Sequence, residues 1–248
     1  MKKIFSVIAC LTAMFAFGED DGSVTIGQVG VTQITSTHKN TIIVASYGDL
    51  ASDEGISISN LVKTTNLTAG DQLALFSGTR GQYETWVLTE DAQGGKYWAK
   101  NEKVFSVNGD GKILTETGKS ASSVKVPVGV GLWLIRNGSY EEGTSFTFEI
   151  YGKPSTTTSY EISEGCNLIG NPTQESKTIV DQIVPTKDDQ ILIPVDGAAG
   201  LRLYRYNQTK KAWYYMKGAS RDYESPTVAP GTGFWYNTQS SNSFDWSK

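Results

Sequence analysis

The sequence predicts an all-β fold, arranged as two tandem, duplicated β-sandwich or β-barrel-like domains with at most one short helix each. Three observations carry this expectation. Short runs rich in Val, Ile, Tyr, Phe, Trp and Thr alternate with clusters of Gly, Asn, Asp and Ser, which is how strands and turns read. The run Ser145–Tyr151 has a period of two, with Phe146, Phe148 and Ile150 on one face and Thr147, Glu149 and Tyr151 on the other. Five sequence features also recur in the same order in the two halves.

The N-terminus comes first. Met1-Lys2-Lys3 precedes an apolar run from Ile4 to Phe17, closed by Ala16-Phe17-Gly18 and followed by Glu19-Asp20-Asp21. This is the pattern of a secretory signal peptide over residues 1–18. A membrane-spanning helix needs about 20 apolar residues, more than this run supplies. The rival reading, a lipoprotein signal ending at Val7-Ile8-Ala9-Cys10, leaves only six residues between Lys3 and Cys10 for its apolar core. The expected location is secreted, periplasmic or cell-surface. Losing residues 1–18 removes two lysines and no acid, moving the net charge from −4 to −6. It also leaves Cys166 alone, so no disulfide forms within the mature chain and the core must stabilise it. Cys166 sits in Gly165-Cys166-Asn167-Leu168-Ile169 and reads as a small buried hydrophobe.

Strands are expected at Thr41–Ala45, Gln72–Phe76, Thr85–Leu88, Leu132–Ile135, Ser145–Tyr151, Ile191–Val195, Leu201–Tyr206 and Ala212–Met216. Helical spacing shows only at Ser57–Val62 and Ser176–Val184, with Ser176 placed to cap the second. These two stretches occupy like places in the repeat. Thr41-Ile42-Ile43-Val44, Ile58–Val62, Asp71–Leu75, Tyr97-Trp98 and Gly129-Val130-Gly131-Leu132-Trp133 answer Asn167-Leu168-Ile169-Gly170, Ile179–Val184, Asp189–Ile193, Trp213-Tyr214 and Gly231-Thr232-Gly233-Phe234-Trp235. The first domain is therefore expected over 19–152, with a hairpin insertion near 103–122. A polar, Pro-containing linker follows over 153–158, and the second domain over 159–248.

Most chemical motifs read as structure. Ser106–Ile113 is similar to a calcium-binding EF-hand loop at Asn108, Asp110, Gly111 and Ile113. It lacks an acid at the first and last ligand positions and has no flanking helices, so a metal-free hairpin turn is expected. The Gly-x-Gly elements run into strands rather than helices, unlike a dinucleotide loop, and read as turns beside a bulky Trp. Leu201–Trp213 resembles one hairpin of a propeller blade, but no series of blades accompanies it, leaving a single antiparallel hairpin. The net charge of −4 argues against nucleic acid. His38 lies in a polar loop without an adjacent carboxylate. The acid pairs Asp53-Glu54, Glu90-Asp91, Glu141-Glu142 and Asp188-Asp189 read as solvated turn charge, and none is nominated for the facing acids a glycosidase needs. No catalytic residue, metal site or cofactor is expected.

Aromatic residues make up 11% of the chain, enough for an exposed platform that stacks on sugar rings. The nominated ligand-binding residues are Trp86, Trp98, Tyr204, Tyr206, Trp213 and Tyr215, with Tyr83, Tyr97 and Tyr214 beside them. The competing expectation is that most of these pack in the core or across strands.

Gly165-Cys166-Asn167-Leu168-Ile169-Gly170-Asn171-Pro172 and the later Gly-x-Gly-Phe-Trp element resemble a pattern recurring in uncharacterised exported bacterial β-rich repeat proteins. Leu61–Leu73 resembles the matching segment of their first half. The resemblance spans most of residues 40–240 and implies an exported β-rich protein, with no activity or ligand attached. The leading expectation is a non-enzymatic structural or adhesive envelope protein, partnered by an extracellular glycan or other envelope proteins. A carbohydrate-binding protein is the alternative, and a hydrolase with an unrecognised acid pair the third.

Overall fold

The computed structural model describes residues 30–36, 41–48, 55–61, 67–77, 82–100, 104–107, 113–116, 124–137, 146–155, 159–194 and 201–248. Residues 1–29, His38, the acid pairs Asp53-Glu54 and Glu141-Glu142, and residues 108–112, where a turn was expected, lie outside them. The first half runs through β1 (Gly30–Ser36), β2 (Thr41–Ala45), β3 (Ile56–Ser57), the helical turn α1 (Ile58–Leu61), β4 (Gln72–Ser77), β5 (Gln82–Glu90), β6 (Lys96–Lys100), β7 (Val104–Val107), β8 (Ile113–Glu116), β9 (Lys125–Val126), β10 (Gly131–Ile135) and β11 (Phe146–Gly152). The second runs through β12 (Ser159–Ile162), β13 (Gly165–Gly170), β14 (Lys177–Thr178), the turn α2 (Ile179–Gln182), β15 (Gln190–Pro194), β16 (Leu201–Asn207), β17 (Ala212–Lys217), β18 (Ser220–Tyr223), β19 (Thr227–Val228), β20 (Gly233–Thr238) and β21 (Asn242–Asp245). The fold is all-β.

Two sheets dominate, in strand orders β2-β10-β4-β5-β6 and β13-β20-β15-β16-β17-β18. Their first five strands follow one another in the same way. Short ribbons accompany each sheet, β1–β11 and β3–β9 in the first half, β12–β21 and β14–β19 in the second. Among the described residues the β7–β8 hairpin, which pairs Val107 with Ile113, has no counterpart in the second half. The register moves the expected correspondence by one residue. Gly131 faces Ala45 and Gly233 faces Gly170, so Ala45, rather than Val44, stands in the place of Gly170.

Each sheet buries one face against its ribbons in sandwich fashion. In the first half Leu73, Trp86, Leu88, Trp98, Leu132 and Leu134 meet Ile56, Val126 and Ile150 of the ribbons and Ile58 and Leu61 of α1. In the second, Ile191, Tyr204, Trp213, Phe234 and Tyr236 meet Ile162, Val228, Phe244 and Ile179. Burying each of these large side chains contributes about 1.5–3 kcal/mol, which explains how helical turns of only four residues hold their shape. Thr178, not Ser176, precedes α2, and its side chain makes no capping bond. Ser176 is exposed. So short a turn is fixed by the packing of Ile179 rather than by a cap. Among the described residues no helix is long and apolar enough to cross a membrane.

The two halves meet through their Gly-x-Gly elements in a reciprocal contact. The Ala45 N–H donates to the Gly231 carbonyl at 2.8 Å, and the Gly170 N–H donates to the Gly129 carbonyl, also at 2.8 Å. Val130 bridges Ile169 between these bonds. Such an exchange of like groups is how an isologous dimer interface is built. It accounts for the glycines. Gly129 and Gly231 have positive φ (81° and 69°), and a Cβ on Gly170 would lie 2.4 Å from the Ala45 Cα. The expected linker begins tied down, with Lys153 and Gly48 exchanging backbone bonds at 2.9 and 3.0 Å and Ser155 donating to Pro172.

Candidate functional site

Strand register decides which nominated aromatics reach solvent. Trp86 faces Leu73 across β4–β5, Trp98 faces Leu88 across β5–β6, and Trp213 faces Tyr206 across β16–β17. All three indoles point into the cores and are fully buried, and Tyr204 is 3% exposed. Only Tyr206 and Tyr215 of the six nominated residues keep part of their surface. A single platform of Trp86, Trp98, Tyr204, Tyr206, Trp213 and Tyr215 is therefore not what the chain builds. A Trp carries the largest apolar surface of any side chain, so a strand with one apolar face places it inward.

Tyr204 and Tyr215 do meet, edge to face, with centroids 5.5 Å apart. Arg202 closes over them, its guanidinium 4.3 Å from the Tyr215 ring centre, and donates to the Tyr204 hydroxyl at 3.2 Å. That bond and the neighbouring Glu224, 3.8 Å away, hold the guanidinium above its ordinary value. The Tyr215 hydroxyl donates to Asp222 at 2.9 Å, which raises its own pKa. The cluster is a satisfied rim of charge around a core tyrosine.

The opposite face of the same strands is open. Leu201, Leu203 and Arg205 of β16 alternate outward, beside Tyr214 and Met216 of β17 and Arg221 and Tyr223 of β18. Leu201, Leu203 and Met216 are three of the five large apolar side chains exposed among the described residues, Met216 at 55%. Together with Arg202, Arg205, Tyr214, Tyr215 and Arg221 they line a shallow hollow of about 580 Å³. Arg221 lies 4.8 Å over the Tyr214 ring and Lys210 4.2 Å over the Tyr223 ring. Partial burial pushes the Tyr223 phenol up, but the hydrogen bond from Arg221 and the charges of Lys210 and Arg221 outweigh it and leave the group below its ordinary value. This face was missed among the nominated residues because Tyr214 was weighed as a sugar-stacking ring and the leucines, arginines and Met216 were not weighed at all. The alternation of Leu201, Leu203 and Arg205 was the available signal.

A second aromatic group sits between the halves. Trp235 meets Phe76 and Tyr83 edge to face at 4.9 and 6.2 Å, and the Trp133 indole donates to the Tyr83 hydroxyl at 3.2 Å. Tyr83 is 46% exposed. The rings present edges to one another rather than one flat surface.

Two expectations about polar residues are corrected here. Asp189 is not solvated turn charge. It is fully buried and accepts from the Thr186 N–H, the Thr186 hydroxyl and the Tyr236 hydroxyl, each at 2.7 Å. Asp71 does the same with Thr68, at 2.9 and 3.3 Å, and lies 3.1 Å from the Arg136 Nε. The left-handed turn residue before each acid is Gly70 or Asp188. Glu90 and Asp91 are exposed as expected. Cys166 is not a buried hydrophobe but exposed, because it stands at the start of edge strand β13, two residues short of Leu168, where packing begins on that face. Among the described residues no three His, Cys, Asp or Glu side chains gather as metal ligands. No family model matches the chain, and neither a curated protein nor a solved structure is similar enough to be matched with it.

Proposed function

We propose that the chain is an exported, non-enzymatic structural or adhesive protein of the cell envelope, built from two copies of one β unit, and that it makes contact through the outward face of β16, β17 and β18. The single observation carrying this reading is the convergence of Leu201, Leu203 and Met216 with Arg205 and Arg221 on that face. Exposed apolar side chains gathered together and rimmed by charge mark interaction surfaces. Export draws its support from the sequence of residues 1–18, and the repeated unit from the like order of five strands and the reciprocal seam. Fractionation of cells expressing the full chain tests it. The expected product is recovered with the envelope or the medium, begins at Glu19 by mass spectrometry, and is released from the envelope by Leu203→Asp with Met216→Asp. A full-length cytosolic chain would end the reading.

Carbohydrate binding is the second reading, supported by exposed Tyr83 beside Trp133 and Trp235. A glycan array probed with the full chain and with Tyr83→Ala tests it. No glycan bound, or one bound equally by the variant, removes it.

A further inference from the structure

Residues 201–223 carry six Lys or Arg and one acid, in a chain whose net charge is −4. The excess is concentrated on three adjacent strands, β16, β17 and β18, and their turns, and the last of these strands is the edge of its sheet. The Glu224 N–H donates to the Trp213 carbonyl, so Trp213 and Glu224 form a hydrogen-bonded pair. Alternation along the ladder then makes Tyr215–Asp222 the next such pair and leaves Tyr214–Tyr223 and Met216–Arg221 as the pairs between. Arg221 and Tyr223 therefore turn their backbone N–H and C=O groups outward, away from β17, along a sheet edge. The same two residues send their side chains to the open face. That face reads, from the edge inward, Arg221 and Tyr223, then Met216 and Tyr214, then Leu203 and Arg205.

We infer that this edge and face take up an extended acidic polypeptide segment, which adds as a strand beside β18 and sets alternate carboxylates against Arg221 and Lys210, the two cations at that edge. The inference rests on the contact face proposed above and names the partner's chemistry. Three features select a polypeptide. Main-chain pairing to an open edge supplies affinity, and alternate side chains supply selection. The charge on the strip is opposite to that of an acidic segment, which speeds encounter and disfavours basic partners. The ring faces of Tyr214 and Tyr223 are covered by Arg221 and Lys210, so they cannot stack on a sugar, whereas Met216 and Leu203 remain open to an apolar side chain.

The test is fluorescence anisotropy of the full chain with a labelled alternating Thr-Glu octapeptide. Four further arms are the alternating Thr-Lys peptide, the Thr-Glu peptide N-methylated at every second amide, polygalacturonate, and phosphatidylglycerol vesicles. The Thr-Glu peptide is expected to saturate, to weaken as salt rises, and to lose about tenfold or more in affinity with Lys210→Glu plus Arg221→Glu. N-methylation in one of the two registers should weaken binding by a similar factor. Both side chains lie on the surface, and the milder Lys210→Gln with Arg221→Gln pair repeats the measurement with an unchanged melting midpoint as the check of folding. Equal binding of both N-methylated registers, a preference for polygalacturonate or vesicles, or no saturable binding overturns the inference. If the charge reversal releases the protein from the envelope while no acidic peptide binds, the partner is wrong and the contact face stands. If the peptide binds as expected and envelope retention is untouched, the partner stands and the structural reading falls.

Discussion

Replacing Asp189 tests whether a buried carboxylate, rather than apolar packing alone, locks the turn before β15. Asp189 is fully buried and accepts three hydrogen bonds of 2.7 Å, two from Thr186 and one from Tyr236. Hydrogen bonds to a charged group contribute about 1.5–3 kcal/mol each, and a buried donor left unpaired costs about 1–3 kcal/mol. Asp189→Ala removes all three bonds and orphans the Tyr236 hydroxyl. Non-additivity and the relieved burial of a charge lower the sum, so the expected loss is about 4 kcal/mol, a drop in melting midpoint of roughly 10 °C for a chain of this size. Asp189→Asn behaves differently. Its carbonyl can take the Oδ2 position and accept from the Thr186 N–H and the Tyr236 hydroxyl, while its amide donates to a turned Thr186 hydroxyl. All three contacts survive as weaker neutral bonds, and the expected loss is about 1–2 kcal/mol. Urea unfolding followed by tryptophan fluorescence reads both, since Trp213 lies in the same core. Losses for Ala and Asn that are equal, or an Ala variant within about 1 kcal/mol of the parent, would refute the reasoning.

Four shorter predictions follow from other parts of the molecule. Gly170→Ala drives a Cβ to 2.4 Å from the Ala45 Cα, and the overpacked seam should lose about 1–3 kcal/mol; proteolysis between the halves, read by gel, should speed up, and an unchanged rate counts against the seam. Cys166 should react with a maleimide in the folded protein at nearly the rate of the urea-unfolded chain, and a protected thiol would contradict its placement. Burial and the bond to Asp189 hold the Tyr236 phenol above its ordinary value of 10.0, so the native state keeps this proton where the unfolded chain begins to lose it. Stability should be full below pH 10 and fall as pH rises past it, and Tyr236→Phe should flatten that slope in alkaline urea titrations. Millimolar calcium should leave the melting midpoint unchanged, whereas a calcium-dependent rise abolished by Asp110→Ala would make the β7–β8 turn a metal loop.

Strand positions were legible because β-branched and aromatic runs between Gly, Asn and Asp clusters mark them locally. Thr41–Ala45 falls on β2 residue for residue, and the β7–β8 hairpin appears where the two halves differ in length. Facing was harder to read. A strand with apolar residues on both sides, such as Tyr83–Leu88, does not announce which side is the core until its partners fix the register, and Trp86 was weighed as a ligand residue for that reason. Cys166 shows the related difficulty that edge positions look like interior ones in a single strand. The buried acids had a signal that went unread. Thr68 precedes Asp71 by three residues, as Thr186 precedes Asp189, with a turn between. A threonine three places before an acid on both occasions points to a closed hydrogen-bonded loop rather than to free surface charge. The outward face of β16, β17 and β18 needed the spatial rows that join Arg205 to Tyr214 and Met216 to Arg221, which only cross-strand pairing supplies.

The seam also governs what happens to the first strand of each sheet order. β2 and β13 are terminal strands, and terminal strands invite other chains to pair with them. At the last residue of β2 and of β13 the chain instead bonds to the opposite half, through Ala45 to Gly231 and Gly170 to Gly129. Because both halves lie on one polypeptide, each meets its counterpart at a local concentration on the order of millimolar, far above that of another molecule. The tether thus makes intramolecular closure faster than polymerisation. Cutting the chain near residue 156 would remove that advantage, leaving two pieces whose glycine elements find partners only by collision and whose association becomes dependent on protein concentration.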